Sequence, residues 1–281
     1  FMAWMRCALS GGRYQPWDWK LLATGDVPPL PAGDWFLSLV PTQLQRLLGQ
    51  PGALDWLRRF RAVFVGGGPA WPDLLDAAAT ARLPLAISYG MTETAAMITS
   101  LRPEEFLQGR RSCGSPLPHA RLSLADEGVV GVQADSLFRG YYPAWRPDGA
   151  WRTEDLGHFD ELGQLHLDGR RDAVIITGGK KVAPAEVERA LRATGWFSDI
   201  AVIGLPDPVW GEMVVACYPA GDRPPTDEAI GARLAPLLAP YKRPKRYLAL
   251  ADWPRNAQGK LHRPTLRATA RASRPADRAP G

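Results

Sequence analysis

The chain has 281 residues, is 46% hydrophobic and 22% charged, and carries a formal net charge of +5. That composition fills a sizeable core in one large domain or two ordinary ones and excludes an intrinsically disordered polypeptide. No apolar run reaches the length of a membrane span, FMAWMRCALSGG at the start lacks the marks of a secretory leader, and the basic residues are too dispersed to predict a nucleic-acid surface.

In chain order, FLSLVPTQLQRLL (36–48) reads as a strand feeding a helix opened by Pro41, with Leu44, Leu47 and Leu48 on one face. RAVFVGGG (61–68) is a buried strand ending in glycines, WPDLLDAAATARL a helix, and PLAISYG (84–90) another strand. Strands alternating with helices predict an α/β layer with a parallel sheet and ligand loops at the strands' carboxyl ends. From about residue 110 to 169, short strands and turns predict a small β-rich subdomain closing the larger domain, 1–169. A compact α+β domain over 170–268 follows: strand AVIITGG, a helix from Pro184, strands DIAVIGLP and MVVACYPA, and helix TDEAIGARLAPLLAP. The Arg/Ala/Pro-rich end, 269–281, is expected to be a disordered tail. Cys7, Cys113 and Cys217 form neither a CxxC nor a Cys/His cluster, which argues against a structural zinc and for a reducing, cytoplasmic setting.

Four segments carry polar chemistry. YGMTE (89–93) places a ring, a hydroxyl and a carboxylate at the mouth of the sheet: Tyr89 can stack on a nucleobase, Thr92 donate to a phosphate, and Glu93 hold magnesium through a hard oxygen. An ordinary strand-to-loop turn explains the same stretch. Gly66, Gly67 and Gly68 let backbone approach a flat ligand, or simply connect strand to helix. WRTEDLG (151–157) puts Asp155 in an expected turn, where a carboxylate either grips ribose hydroxyls or caps the turn. GRRDAVIITGGKKVAPAEVE (169–188) joins a charged cluster, a strand, Gly178-Gly179 and a proline-opened helix. As plain structure, the glycines would be a hairpin turn and Lys180 and Lys181 a solvated loop.

Together with PRNAQGK (254–260), these segments, in this order and spacing, resemble the superfamily of adenylate-forming enzymes that includes acyl- and aryl-CoA synthetases, adenylation domains and luciferases. The resemblance covers nearly the whole chain to about residue 265. It implies a two-step reaction: a carboxylate attacks the α-phosphate of ATP to give an acyl-adenylate and pyrophosphate, and a thiol then displaces AMP. It implies that Gly66 to Gly68, Tyr89, Gly90 and Met91 border the nucleotide, Thr92 contacts phosphate, Glu93 meets magnesium, and Asp155 and Arg170 lie at the ribose. Asp172 would be the hinge of the C-terminal domain, and Gly178 and Gly179 would border the passage for coenzyme A. Lys260 would bridge carboxylate and α-phosphate in the first step, with Thr92 and Glu93 completing the catalytic set.

SLVPTQLQRLL, CGSPLP (113–118) and WMRCALSGG are most similar to the o-succinylbenzoate-CoA ligase branch, which implies a small aromatic carboxylic acid as substrate, with Ser88 and Thr94 as candidates for its unreacting carboxylate. A fatty acyl-CoA ligase, a carrier-loading adenylation domain and a non-catalytic nucleotide-binding fragment are the alternatives. The Ser/Thr/Gly-rich loop ending in lysine that grips the β- and γ-phosphates in such enzymes has no match in residues 1–281. By itself this stretch is therefore expected to adenylate poorly or not at all, with a homo-oligomer or a complementing N-terminal polypeptide left open.

Overall fold

The structure, a computed structural model, describes residues 2–50, 52–145, 149–256 and 260–273. Two compact units divide the chain, Phe1–Leu167 and Asp168–Gly281. Among the described residues no helix is long and apolar enough to cross a membrane.

The first unit opens with α1 (Met2–Ser10) and the single turn α2 (Trp19–Leu22), and continues β1 (Phe36–Leu39), α3 (Pro41–Leu48), α4 (Ala53–Arg58), β2 (Ala62–Val65), α5 (Pro72–Thr80), β3 (Leu85–Met91), β4 (Ala96–Ser100), α6 (Pro103–Leu107) and β5 (Ser115–Pro116). These strands form one sheet in the order β1-β2-β3-β4-β5. It is parallel from β1 to β3, with Leu37 opposite Val63 and Val63 opposite Leu85, and antiparallel from β3 onward. α3 starts at Pro41, whose fixed φ and missing N–H suit a first helical position. The predicted stripe holds: Leu44 and Leu47 are fully buried among Leu39, Val65, Leu75 and Ile87.

A second sheet, β6-β7-β8-β9, is made of β6 (Ala120–Ala125), β7 (Val129–Ala134), β8 (Ala150–Phe159) and β9 (Leu165–Arg170). Its apolar face packs Val130, Val132 and Leu165 against Tyr89 and Ile98, so the two sheets of this unit share a core. Asp155 sits inside the ten-residue strand β8 rather than in the expected turn. The turn-favouring letters of TEDLG are overridden because Thr153 and Gly157 pack inward on the sheet.

The second unit contains β10 (Ile175–Thr177), β11 (Lys180–Val182), α7 (Pro184–Arg192), β12 (Ala201–Asp207), β13 (Gly211–Pro219), α8 (Asp227–Leu234), β14 (Arg246–Leu250) and α9 (Arg263–Ala272). Its sheet runs β11-β10-β13-β12, with β14 joined in parallel to β13. α7 buries Val187 and Leu191 on this sheet. α8 is shorter than the predicted 226–240, because Ala235 precedes Pro236 and α-helical geometry is disfavoured before proline. The expected disordered tail is corrected over 269–273: residues to Ala272 belong to α9, which buries Leu266 and Ala270 four residues apart on one face. Residues 274–281 lie outside the described residues.

Candidate active site

β2 and β3 are parallel neighbours, with Val65 opposite Ile87, so GGGP and YGMTE leave the sheet side by side at its carboxyl edge. The three glycines have different physical reasons. A Cβ on Gly66 would stand 2.5 Å from Ser88 Oγ, and Gly67 takes a positive φ of 76°. Gly68 has neither constraint: the nearest atom to a built Cβ is Pro41 Cδ at 3.9 Å. Packing explains Gly66; the open space over Gly68 suits approach of a ligand. Ser88, the candidate for the acid pocket, faces back into the sheet and donates to Val65 O at 3.4 Å.

The ladder between β3 and β4 slips one residue between Tyr89 and Gly90, because Tyr89 faces Thr99 while Gly90 faces Met97. A second irregularity lies in β8: Val129 pairs Leu156, yet Gly131 pairs Arg152. Bulges turn side chains away from the regular alternation. Here the two slips bring Tyr89 and Asp155 together, and the phenol donates to Asp155 Oδ2 at 2.7 Å. The N–H of Asp155, out of the ladder at the bulge, donates to Thr153 Oγ1 at 3.0 Å, and that hydroxyl in turn donates to Val130 O at 2.9 Å. Tyr89 is only 7% exposed, so its ring lies mostly against Ile98, Val130 and Val132. Burial, and then the charge of Asp155, push its phenol far above the ordinary value. Cys113 is pushed up to about 12, chiefly by burial and then by the charge of the same carboxylate.

After Met91 a 3-10 turn, Thr92 to Thr94, presents Thr92 and Glu93. Thr94 is not available to a substrate carboxylate, contrary to expectation: it is 1% exposed, and its hydroxyl accepts from Met91 N at 3.0 Å and donates to Ala96 O at 2.7 Å. That lock holds two non-glycine residues at positive φ, Ala95 at 54° and Ala96 at 148°. Such strain persists only where neighbours over-determine it, and here it fixes the turn that carries Glu93. The Glu93 carbonyl accepts from Phe138 N at 2.8 Å, and its carboxylate accepts from the Tyr141 phenol. Glu93 is a hard oxygen donor of the kind magnesium takes, with phosphate and water as its further ligands. No cluster of three or more His, Cys, Asp or Glu that could hold an ion occurs among the described residues.

Arg170, Asp172, Gly178, Gly179 and Lys260 belong to the second unit. Arg170 clamps Asp172 with both arms, Nε to Oδ1 at 2.8 Å and a terminal nitrogen to Oδ2 at 2.7 Å. This fork, first among the causes, holds the Asp172 carboxyl below the ordinary range. Gly178 and Gly179 form the two-residue turn between β10 and β11, both at positive φ, 53° and 73°. A Cβ on Gly178 would come within 3.1 Å of the Trp210 ring, whereas Gly179 has nothing within 4 Å. Lys180 and Lys181 lie in β11 rather than in a loop.

Beside this turn lie groups that the sequence did not single out. Trp210 is 44% exposed, its carbonyl accepts from Gly178 N at 2.8 Å, and the Lys245 ammonium sits 4.9 Å from its ring centroid. Lys180 lies 4.6 Å over the Tyr241 ring, and Lys242 pairs with Glu186 at 2.6 Å. An exposed indole among ammonium groups is suited to an aromatic anion such as a nucleotide. The local signal, aromatic-basic YKRPKR, was present, but its partner Trp210 is distant in sequence.

Lys260 closes a short hairpin. Arg255 bridges Leu261, Asn256 N donates to Lys260 O at 2.9 Å, and Lys260 N donates to Asn256 Oδ1 at 3.0 Å. The Lys260 side chain is exposed.

Two family descriptions match this chain: AMP-binding enzyme over residues 35–142 and AMP-binding enzyme C-terminal domain over 186–260. The 2-succinylbenzoate–CoA ligase of Oceanobacillus iheyensis is 35% identical over 243 residues, covering 82% of this chain and 50% of that protein. That of Enterococcus faecalis is 33% identical over 240 residues, covering 80% and 49%. The solved o-succinylbenzoate CoA synthetase of Bacillus subtilis, in complex with the acyl-adenylate intermediate OSB-AMP, superposes with a TM-score of 0.70 at 29% identity, covering 85% of this chain and 51% of that one. ATP-bound MatB from Rhodopseudomonas palustris gives 0.73 at 31% identity, covering 83% and 50%. The chain thus spans about half the length of the relatives it matches.

Proposed function

The chain belongs to the AMP-binding enzyme family, and on that premise we propose that it serves a cytoplasmic, ATP-dependent acid-CoA ligase acting on o-succinylbenzoate. The observation that carries this reading is the Tyr89 to Asp155 hydrogen bond, which draws YGMTE and WRTEDLG, 66 residues apart, to the carboxyl edge of the parallel strands. The choice of acid rests on sequence likeness to ligases named for it.

In the first step a carboxylate oxygen of the acid bonds to the α-phosphorus of ATP, and pyrophosphate leaves with the bonding pair. Gly68 and the Tyr89 backbone would border the adenine, Asp155 would accept from ribose hydroxyls, and Thr92 would donate to phosphate. Magnesium, held through Glu93, would neutralise phosphate charge. Lys260 would donate to the carboxylate and α-phosphate oxygens, where charge accumulates. A compact ammonium on a flexible stem suits two such acceptors better than a planar guanidinium. In the second step the coenzyme A thiolate attacks the acyl carbon and AMP departs. Gly178 and Gly179 would leave room for the pantetheine arm, while Trp210 and Lys245 would receive its nucleotide end.

The test separates the half-reactions. With the phosphate-gripping loop supplied by a complementing polypeptide, Lys260→Ala is expected to lower adenylate formation, read by pyrophosphate exchange with o-succinylbenzoate, by roughly a hundred- to a thousandfold. Thioester formation from supplied acyl-adenylate should be retained. Equal loss of both would refute the role of Lys260, and exchange with fatty acids but not o-succinylbenzoate would refute the substrate.

A further inference from the structure

Asp199 is 9% exposed, at the entry to β12, and four donors converge on its carboxylate. Oδ1 faces its own unit's body: it accepts from Ile200 N at 2.9 Å and from Arg192 on α7 at 3.0 Å. Oδ2 faces the lysine hairpin: it accepts from Trp253 Nε1 at 2.9 Å and from the Arg255 guanidinium. Trp253 and Arg255 immediately precede the loop that carries Lys260, and the loop's other arm is tied back by His262 N donating to Pro254 O at 2.9 Å. Trp253 and Leu261 also pack on the cluster of Ala201, Leu250 and Leu266.

We propose that Asp199 is a positioning residue for Lys260, clamping the stem of its hairpin so that the ammonium is presented from a fixed base. An ionised carboxylate suits this place, because each oxygen must accept from two donors at once. Asparagine has one acceptor oxygen, so its NH2 would face either Trp253 and Arg255 or Ile200 and Arg192, donor against donor. The buried alternative to a made bond is an unsatisfied polar group, which opens the local structure rather than leaving it neutral. The proposal rests on the reading of Lys260 as the lysine that meets the α-phosphate, but the clamp itself can be tested without it.

The experiment is residue-resolved hydrogen exchange on the protein and on Asp199→Asn and Trp253→Phe. The second variant keeps a ring in the core and removes one donor, so it decides the matter if the first does not fold. Exchange at the Asn256 and Lys260 amides should accelerate by roughly tenfold in Asp199→Asn and less in Trp253→Phe, because a charge-assisted bond is lost from the closed hairpin. Val215 and Ala216, in β13, should keep their rates. Unchanged hairpin exchange in both folded variants overturns the clamp, as does acceleration spread equally over β13, which would mean general loosening. The functional arm is separate and uses the enzyme completed by the complementing polypeptide: Asp199→Asn should slow adenylate formation at unchanged KM for ATP and spare the thioester step. If exchange changes as expected while Lys260→Ala leaves adenylation intact, the clamp stands and the role of Lys260 falls.

Discussion

The phenol of Tyr89 donates to Oδ2 of Asp155 at 2.7 Å, across 66 residues and between two sheets of one unit. The bond makes each residue the other's support. Tyr89→Phe keeps the buried ring and removes only the donor, and a hydrogen bond to a charged acceptor contributes about 1.5 to 3 kcal/mol. Urea unfolding should show a loss toward the lower end of that range, since Asp155 is partly solvated and water can replace the phenol. Asp155→Ala should instead abolish AMP binding and cost at least as much stability, because it leaves the buried Tyr89 phenol without its acceptor.

Gly90 has no room for a side chain. A Cβ there would fall on the Ala96 carbonyl and lie 2.6 Å from Met97 Cα. Neither neighbour is a flexible side-chain end, and Ala96 is already held in an unusual conformation. Gly90→Ala should therefore cost about 3 kcal/mol of stability, the upper part of the usual overpacking range. Thermal unfolding checks this; a shift of less than a degree would contradict it.

The thiols report on both cores. Burial pushes Cys113 and Cys217 up to about 12 from an ordinary 9.0. Well below pH 9.0 both are neutral in either state, so they contribute no pH dependence there. Above it the unfolded chain loses the protons first, the folded state binds more, and stability falls as pH rises toward 12. Cys217→Ala should flatten that decline for the second unit, as followed by denaturant titration at pH 8 to 11. At pH 8, the partly buried Cys7 should react with a thiol reagent well before Cys217, which is buried, and before Cys113, whose thiol is pushed up to about 12.

Asp172 behaves in the opposite sense. Its carboxyl is held below the ordinary 3.8 by the Arg170 fork, so its contribution is present above that value and is lost as pH falls further. Both side chains are about half exposed, which limits the pair to less than about 1 kcal/mol. Carboxyl NMR should find Asp172 titrating below 3.8 in the wild type and closer to it in Arg170→Ala.

Much of the scaffold was legible in the sequence, because strand and helix periods are local. The stripe Leu44, Leu47 and Leu48, the prolines at helix starts and the glycines after β2 each encode an element within a few residues. The polar site was legible only as a set of letters. That Asp155 meets Tyr89 depends on two ladder slips, and that Thr94 locks a turn depends on carbonyls the sequence does not orient. The Trp210, Lys245 and Tyr241 group was missed because its members converge through tertiary folding. The helix over 263–272 was missed for another reason: arginine and alanine in quantity read as a tail, although Leu266 and Ala270 already stood one turn apart.

Trp210 offers a test of the group the sequence missed. Trp210→Ala, which removes the exposed ring but not the Lys245 charge, should weaken coenzyme A binding by about tenfold in calorimetry. Lys245→Ala should weaken it in a way that vanishes at high salt, as expected for a screened charge.

The two-glycine turn sets a limit on length as well as on bulk. Thr177 faces Lys180, Ile176 faces Lys181 and Ile175 faces Val182, and of these Ile175, Thr177 and Val182 are buried. An inserted third glycine would leave the turn as bare of side chains as before. It would also invite a one-residue slip, after which Val182 points to solvent and a lysine points into the core. Drift by insertion is thus closed to this loop as firmly as positive φ closes it to side chains, and its two-residue length should persist wherever β10 and β11 do.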